Sequence, residues 1–236
     1  MRISFFFPAY HDEGTIEPLV RLADEVLGEV ATEHEIIVVD DCSPDRSGAI
    51  ADRLAAENPR VRVIHHPRNK GYGQALWSGF QAARLDWVAF TDGDMQYDLH
   101  ELPALIERAK AGADAVVGYK TQRAEGWRRS VLSRAYNLAV RSLLSLPLRD
   151  VDCAFKLLRR ELVQGVTPST EYTEAFLMVE LLYRARQRGA RVEEVPVSHR
   201  ERPWGESRCF SFRTARRLTY YLLRGAVVGR ALGRWR

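Results

Sequence analysis

Trp87-Val88-Ala89-Phe90-Thr91-Asp92-Gly93-Asp94-Met95-Gln96 decides how the rest of the chain is read. Its first four residues are a short apolar run with polar flanks, the pattern of a buried strand. Two carboxylates one residue apart follow at the strand end, where both can face one opening. Gly93 between them lets the backbone come close to a ligand. Hard carboxylate oxygens suit Mg²⁺ or Mn²⁺, and Mg²⁺ prefers one or two carboxylates together with substrate phosphates. The stretch therefore reads as a site for a metal-bound diphosphate, as in a nucleotide-activated donor. Asp and Gly are also favoured in plain strand-end turns, so the surrounding chain has to decide.

Upstream, Arg2 to Phe7 predicts a first strand ended by Pro8. Glu13 to Val30 carries helical spacing through Ile16, Leu19, Leu22, Val26 and Val30. Glu35-Ile36-Ile37-Val38-Val39 is apolar throughout after its first residue, as in a central parallel strand, and runs into Asp40-Asp41-Cys42-Ser43-Pro44-Asp45. A helix over Ser47 to Glu57, a strand over Val61 to Ile64 and a helix after Asn69-Lys70-Gly71-Tyr72-Gly73 come next. Downstream, Leu99 to Ala111 predicts a helix and Ala113 to Val117 a strand. Alternating strands and helices mean an α/β fold with a mostly parallel sheet flanked by helices. Ligands bind beyond the carboxyl ends of such strands. Pro8-Ala9-Tyr10, Asp40-Asp41 and Asp92-Gly93-Asp94 all fall there.

The second half is less regular. Arg129 to Leu146 reads as helix, Asp150 to Lys156 as turn then strand, and Val192 to Val197 as strand. Glu174 to Arg188 reads as a helix closed by Gly189. No repeat or linker is visible. The expected division is one domain over residues 1–208 and a C-terminal helix over 209–236.

Charge and cysteines narrow the setting. The net charge of +4 conceals an asymmetry, because residues 208–236 hold eight arginines and no acid. Without those eight, 27 of the 35 basic residues remain against 31 acidic ones, so residues 1–207 carry −4. A basic tail on an acidic body argues against nucleic acid and for an anionic membrane surface. Phe212 to Leu232, wound as a helix, gathers Leu218, Tyr221, Leu222, Ala226 and Leu232 on one side and Arg213, Arg216, Arg217 and Arg224 on another. Two readings stand, an interfacial helix or a helix packed on the domain with solvated arginines. Cys42, Cys153 and Cys209 make no paired motif, which fits a reducing compartment. No signal peptide or membrane span is predicted. The expected location is therefore cytoplasmic, with peripheral attachment to the cytoplasmic membrane face. Gly71-Tyr72-Gly73 lies outside the first strand–helix turn, which disfavours a dinucleotide fingerprint, and no P-loop motif exists.

The motifs, in order, resemble those of the inverting family-2 glycosyltransferases of GT-A fold, and within them the dolichol- or polyprenyl-phosphate mannosyltransferase-like branch. Pro8-Ala9-Tyr10-His11-Asp12-Glu13 is similar to the opening PAYNEE, with His11 and Asp12 in place of Asn and Glu. Val39 to Asp45 resembles VDDGSTD, with Cys42 where Gly is usual. Asn69 to Ala75 resembles NxGxGxA, and Thr91 to Gln96 resembles DADLQ. Arg129 and Ser133 match an RxxxS pair, and Asp152 to Lys156 resembles DxxSGFR. Glu194 to Val197 with Arg202, Gly205, Ser207 and Arg208 resembles EVPV…RxxGxSK. The likeness runs from about residue 3 to 208.

The resemblance implies the GT-A fold, a nucleoside diphosphate sugar donor (GDP-mannose or a UDP-sugar) and transfer with inversion. It implies that Pro8, Tyr10 and Asp12 border the base, that Asp41 accepts hydrogen bonds from base or ribose, and that Asp92, Asp94 and Gln96 hold Mg²⁺ or Mn²⁺. Lys120, which stands where Arg is usual, would place an acceptor phosphate with Arg129 and Ser133. Arg202, Ser207 and Arg208 would close over the diphosphate. A polyprenyl phosphate acceptor needs no strong base, because its oxygen is already anionic. A hydroxyl acceptor, on a glycan or small metabolite, requires one, with Asp152 first and Glu174 and Glu180 behind it. A non-catalytic nucleotide-sugar or membrane-binding module is the reading from another class. Oligomeric state stays open.

Overall fold

The computed structural model describes residues 1–121, 136–138, 140–142, 144, 146–165 and 176–205. Four strands, β1 (Arg2–Ala9), β2 (Glu33–Asp40), β3 (Val61–His65) and β4 (Trp87–Phe90), run parallel. Helices α1 (Ile16–Val30), α2 (Ser47–Glu57) and α3 (Tyr72–Ala82) connect them in turn. A 3₁₀ turn at Leu99–Glu101 and α4 (Leu102–Lys110) lead to β5 (Ala115–Lys120). Then follow β6 (Lys156–Arg159), the short α5 (Arg160–Gln164), α6 (Phe176–Gln187) and β7 (Val192–Val197). The sheet order is β3-β2-β1-β4-β6-β5-β7. The mostly parallel α/β sheet is therefore observed, with β6 as its antiparallel member, wedged between β4 and β5.

Local chemistry accounts for these elements. In α1, Ile16, Leu19, Val20, Ala23, Val26 and Leu27 are buried, at the three- and four-residue spacing of one helix face. In β2, Ile36 to Val39 are wholly buried, as a strand covered on both faces must be. Beneath the rim, Phe6, Phe80 and Phe90 meet with ring centroids 5.0 to 5.4 Å apart. Each such buried ring contributes roughly 1.5–3 kcal/mol relative to exposure, so the floor of the strand ends is the firmest part of the core.

Three details depart from expectation. β1 continues through Pro8 to Ala9. β4 stops at Phe90 opposite Phe6, so Pro8 is an edge residue on that side and its missing N–H leaves no bond unmade. The expected 99–111 helix splits into the 3₁₀ turn and α4, with Asp98 accepting from the His100 amide at 3.1 Å. α5 was not anticipated at all. Gly189 does follow α6 with φ +84°, the left-handed residue expected there. Among the described residues no helix is long and apolar enough to cross a membrane. The expected helix over 209–236 lies outside the described residues.

Candidate nucleotide and metal site

A cleft of about 420 Å³ opens beyond the carboxyl ends of β1, β2 and β4. Of the sequence-predicted residues, Pro8, Tyr10, Asp12, Asp41, Asp92, Asp94 and Arg202 line it. His11, Asn69, Gly71, Tyr72 and Gly205 join them. The topology explains the gathering. Parallel neighbours put every such strand end on one rim, so residues far apart in sequence meet in one opening.

The acidic loop is crowded. Asp94 is only 5% exposed. Its Oδ2 accepts from Arg202 Nη2 at 2.8 Å and its Oδ1 from the Gln96 amide at 3.1 Å. Burial, with the charge of Asp92 behind it, pushes the Asp94 carboxyl up to about 7, while Arg202 opposes the rise. Asp12 is also raised, by burial first, with the Tyr10 amide and Arg202 acting the other way. Asp92 Oδ1 accepts from the Tyr72 hydroxyl at 2.6 Å. Arg202 thus pairs with Asp94 and also acts on Asp12, while Asp92 beside them is held by Tyr72. Gly93 is required by the protein itself: a Cβ there would stand 2.7 Å from the Pro8 carbonyl oxygen and 3.1 Å from Asp12 Oδ2. Its bareness lets the loop sit against β1, which is a different reason from the ligand approach expected of it.

The second acidic loop is satisfied. Asp41 Oδ1 accepts from the Lys70 amide at 2.8 Å and faces His66 Nδ1 at 2.6 Å. Its Oδ2 accepts from the Gly71 amide at 2.8 Å. Asp40 accepts from the Ser43 amide at 2.9 Å and meets His65 Nδ1 at 2.9 Å. Just after them the chain turns through Cys42 at φ +60°, and on the neighbouring loop His11 sits at φ +63°. Both are positions where the family pattern has Gly or Asn, the residues that adopt left-handed backbone at least cost.

Residues 200–205 lie along the cleft as a strap. Gln96 and Arg200 exchange bonds, the Arg200 amide to the Gln96 carbonyl at 2.8 Å and the Gln96 side-chain N–H to the Arg200 carbonyl at 2.9 Å. The Arg200 guanidinium also pairs with Asp98. Trp204 covers Gly14, where a Cβ would come within 2.4 Å of the indole. Arg202 Nε is buried without a partner among the described residues.

Several predicted residues are elsewhere. Gln96 does not line the cleft, and its amide serves the strap. Lys120 ends β5 with Nζ 5.9 Å from the Tyr97 ring centroid, outside the lining. Asp152 stands in the turn before β6, also outside it, close enough to Tyr136 to add to the burial that holds that phenol well above its usual range. Glu180 is fully buried on α6 and pairs with Arg184 at 2.8 Å, four residues on. As candidate bases, Asp152 and Glu180 are therefore displaced from the opening. Arg129, Ser133, Glu174, Ser207 and Arg208 lie outside the described residues. Sequence reading missed Tyr72 and His66 as partners of Asp92 and Asp41. Tyr72 sits inside a quoted motif, and His66 gave no periodic or motif signal.

The donor set fits a divalent cation. It is all hard oxygen, and among the described residues that line the cleft Arg202 is the one arginine beside it. Comparison with known proteins agrees with the geometry. The glycosyl transferase family 2 model matches residues 4–167. Glycosyltransferase AglD of Haloferax volcanii is 38% identical over 210 residues, covering 84% of this chain and 33% of its own length. The undecaprenyl-phosphate 4-deoxy-4-formamido-L-arabinose transferase of Pseudomonas aeruginosa is 33% identical over 89% of this chain and 61% of its own. The polyprenol monophosphomannose synthase of Mycolicibacterium smegmatis is 32% identical over 88% of this chain and 80% of its own. This chain therefore spans about a third and three fifths of the first two. Among solved structures, glucosyl-3-phosphoglycerate synthase of Mycobacterium tuberculosis shares the fold. Its complex with Mn²⁺, UDP and phosphoglyceric acid superposes with TM-score 0.70 over 95% of this chain and 78% of that one, at 22% identity. With 164 matched residues running from β1 through α5, the chain belongs to glycosyl transferase family 2.

Proposed function

We propose that the chain transfers a sugar, with inversion, from a nucleoside diphosphate sugar to a polyprenyl phosphate. The observation that carries this is the excess of carboxylate at the mouth of a nucleotide-sized cleft: among the described lining residues, Asp12, Asp92 and Asp94 stand against one arginine, Arg202. Asp92 and Asp94 would hold Mg²⁺ or Mn²⁺, which when bound neutralises charge on the leaving diphosphate. Pro8 and Tyr10 border the far end of the cleft, where the base and ribose would lie beside Asp41.

Arg202 has two uses in this reading. In the free chain its guanidinium offsets the charge of Asp94. A cation held by Asp92 and Asp94 would compete with Arg202 for Asp94 and leave the guanidinium available to a diphosphate. Tyr72 fixes the rotamer of Asp92 through a 2.6 Å bond. The acceptor class rests on the names of the relatives. Neither Asp152 nor Glu180 lines the cleft, and an anionic phosphate oxygen attacks without a strong base. The basic segment over 209–236 would hold the chain at an anionic membrane surface, where such an acceptor resides.

Turnover of GDP-mannose and UDP-glucose with Mn²⁺, offered undecaprenyl phosphate and a water-soluble glycan side by side, tests the proposal. Lipid-linked product is expected. Product on the glycan alone would replace the acceptor, and no turnover with either would remove the activity.

A further inference from the structure

Asp41 lines the cleft, yet most of its bonding capacity is spent on the protein. A carboxylate has about four lone-pair sites, and the Lys70 amide, the Gly71 amide and His66 occupy three of them. Oδ2 carries a single bond, so the remaining site is there. His66 is itself buried and bridges three elements. Its backbone amide donates to the Asp40 carbonyl at 2.9 Å, its Nδ1 meets Asp41 and its Nε2 meets Ser78 Oγ on α3 at 2.8 Å. An ionised carboxylate only accepts, so Nδ1 bears the proton towards Asp41 and the Ser78 hydroxyl donates to Nε2. The ring is thereby held in one tautomer and one orientation.

We propose that His66, with Ser78 behind it, is a positioning residue for the nucleotide. It fixes the Asp41 carboxylate so that Oδ2 keeps one open site towards the cleft, and it fixes the loop at Lys70 and Gly71 that walls the same end. The inference rests on the reading of this cleft as the nucleotide site. Without the Nδ1 donor, the carboxylate is held by the two loop amides alone, and the carboxylate and loop lose the brace that ties them through His66 to Ser78 on α3. A preorganised end of the site becomes a mobile one, and the nucleotide has to order it on binding.

The pair His66→Asn and His66→Gln tests this on the full chain. An asparagine amide nitrogen falls near the position of Nδ1 and restores the donor to Asp41. A glutamine amide falls near Nε2 and restores only the contact with Ser78. Calorimetric titration with UDP and with GDP, each with Mn²⁺, is read beside amide exchange at Lys70 and Gly71. H66Q is expected to bind about tenfold more weakly, the loss of about one well-placed hydrogen bond to a charged group, with faster exchange at both amides. H66N is expected to stay within about threefold, with exchange unchanged. Equal losses in both variants, or none in either, would overturn the positioning role while leaving the cleft reading intact. If the parent chain binds neither diphosphate, the cleft reading fails and this inference falls with it.

Discussion

Two acidic loops face the same cleft from the strand ends on either side of β1, and they are built in opposite ways. At the end of β2, Asp41 receives three donors on two oxygens, so its own protein fills all but one of its acceptor sites. At the end of β4, Asp92 and Asp94 are crowded together with Asp12 against one guanidinium. A carboxylate so bonded is structure, because the fold loses stability when it is removed. An under-compensated one carries a cost of burial and repulsion in the free fold, and in the function proposed above a bound cation would relieve it. Sequence identity alone does not distinguish them, since both are paired or near-paired aspartates after apolar strands.

Matched substitutions break or confirm that contrast. Asp94→Asn should cut sugar transfer by about a thousandfold, the scale of losing several kcal/mol of charge stabilisation at the leaving diphosphate. Its thermal unfolding in a chelator should stay within about 0.5 kcal/mol of the parent, because loss of the Arg202 pair is offset by relief of the burial and of the repulsion from Asp92 that disfavour the ionised carboxyl. Asp41→Asn should do the reverse in stability. It turns an acceptor into a donor facing backbone N–H groups, at about 2–3 kcal/mol in denaturant unfolding. If the two variants unfold alike, the contrast is wrong.

Smaller effects sharpen it. Cys42 is exposed and holds φ +60° beside Asp41. Cys42→Gly should raise stability by about 0.5–1 kcal/mol by relieving left-handed strain, measured as a shift in urea midpoint. His65 is raised above its usual range by Asp52 and then Asp40. The folded pKa exceeds the unfolded one, so its contribution is full below pH ~6.5 and fades as pH rises through the folded value. The melting-point gap between the parent and His65→Ala should therefore be wider at pH ~5.5 than at pH ~9. With the side chain 45% exposed, the gap amounts to no more than about 1 kcal/mol.

Much of this was legible in the chain. The runs at Ile36–Val39 and Trp87–Phe90 and the spacing of α1 are local patterns, and they place strand ends and motifs together by topology alone. The strand-end residues Pro8, Tyr10, Asp41, Asp92 and Asp94 followed from that placement, while Asp12 and Arg202 were picked out by the resemblance to the family's motifs. What escaped is non-local. How far Asp41 is satisfied depends on amides at Lys70 and Gly71 and on His66, about 25 to 30 residues away, and no period announces them. Gln96 turned to the strap because Arg200, 104 residues later, offers it a carbonyl. Glu180 looked polar on an apolar face, and Arg184 one turn on accounts for it. The antiparallel β6 lacks a signature of its own, since two leucines between Lys156 and Arg159 read alike in either direction.

The central claim is that a divalent cation on Asp92 and Asp94 carries the nucleotide. Calorimetric titration of the full chain with UDP and GDP, first with Mn²⁺ and then in a chelator, tests it most directly. At least one diphosphate should bind with Mn²⁺ and lose about a hundredfold or more in affinity without it, as removal of the principal charge partner requires. Equal affinity with and without the metal would contradict the account.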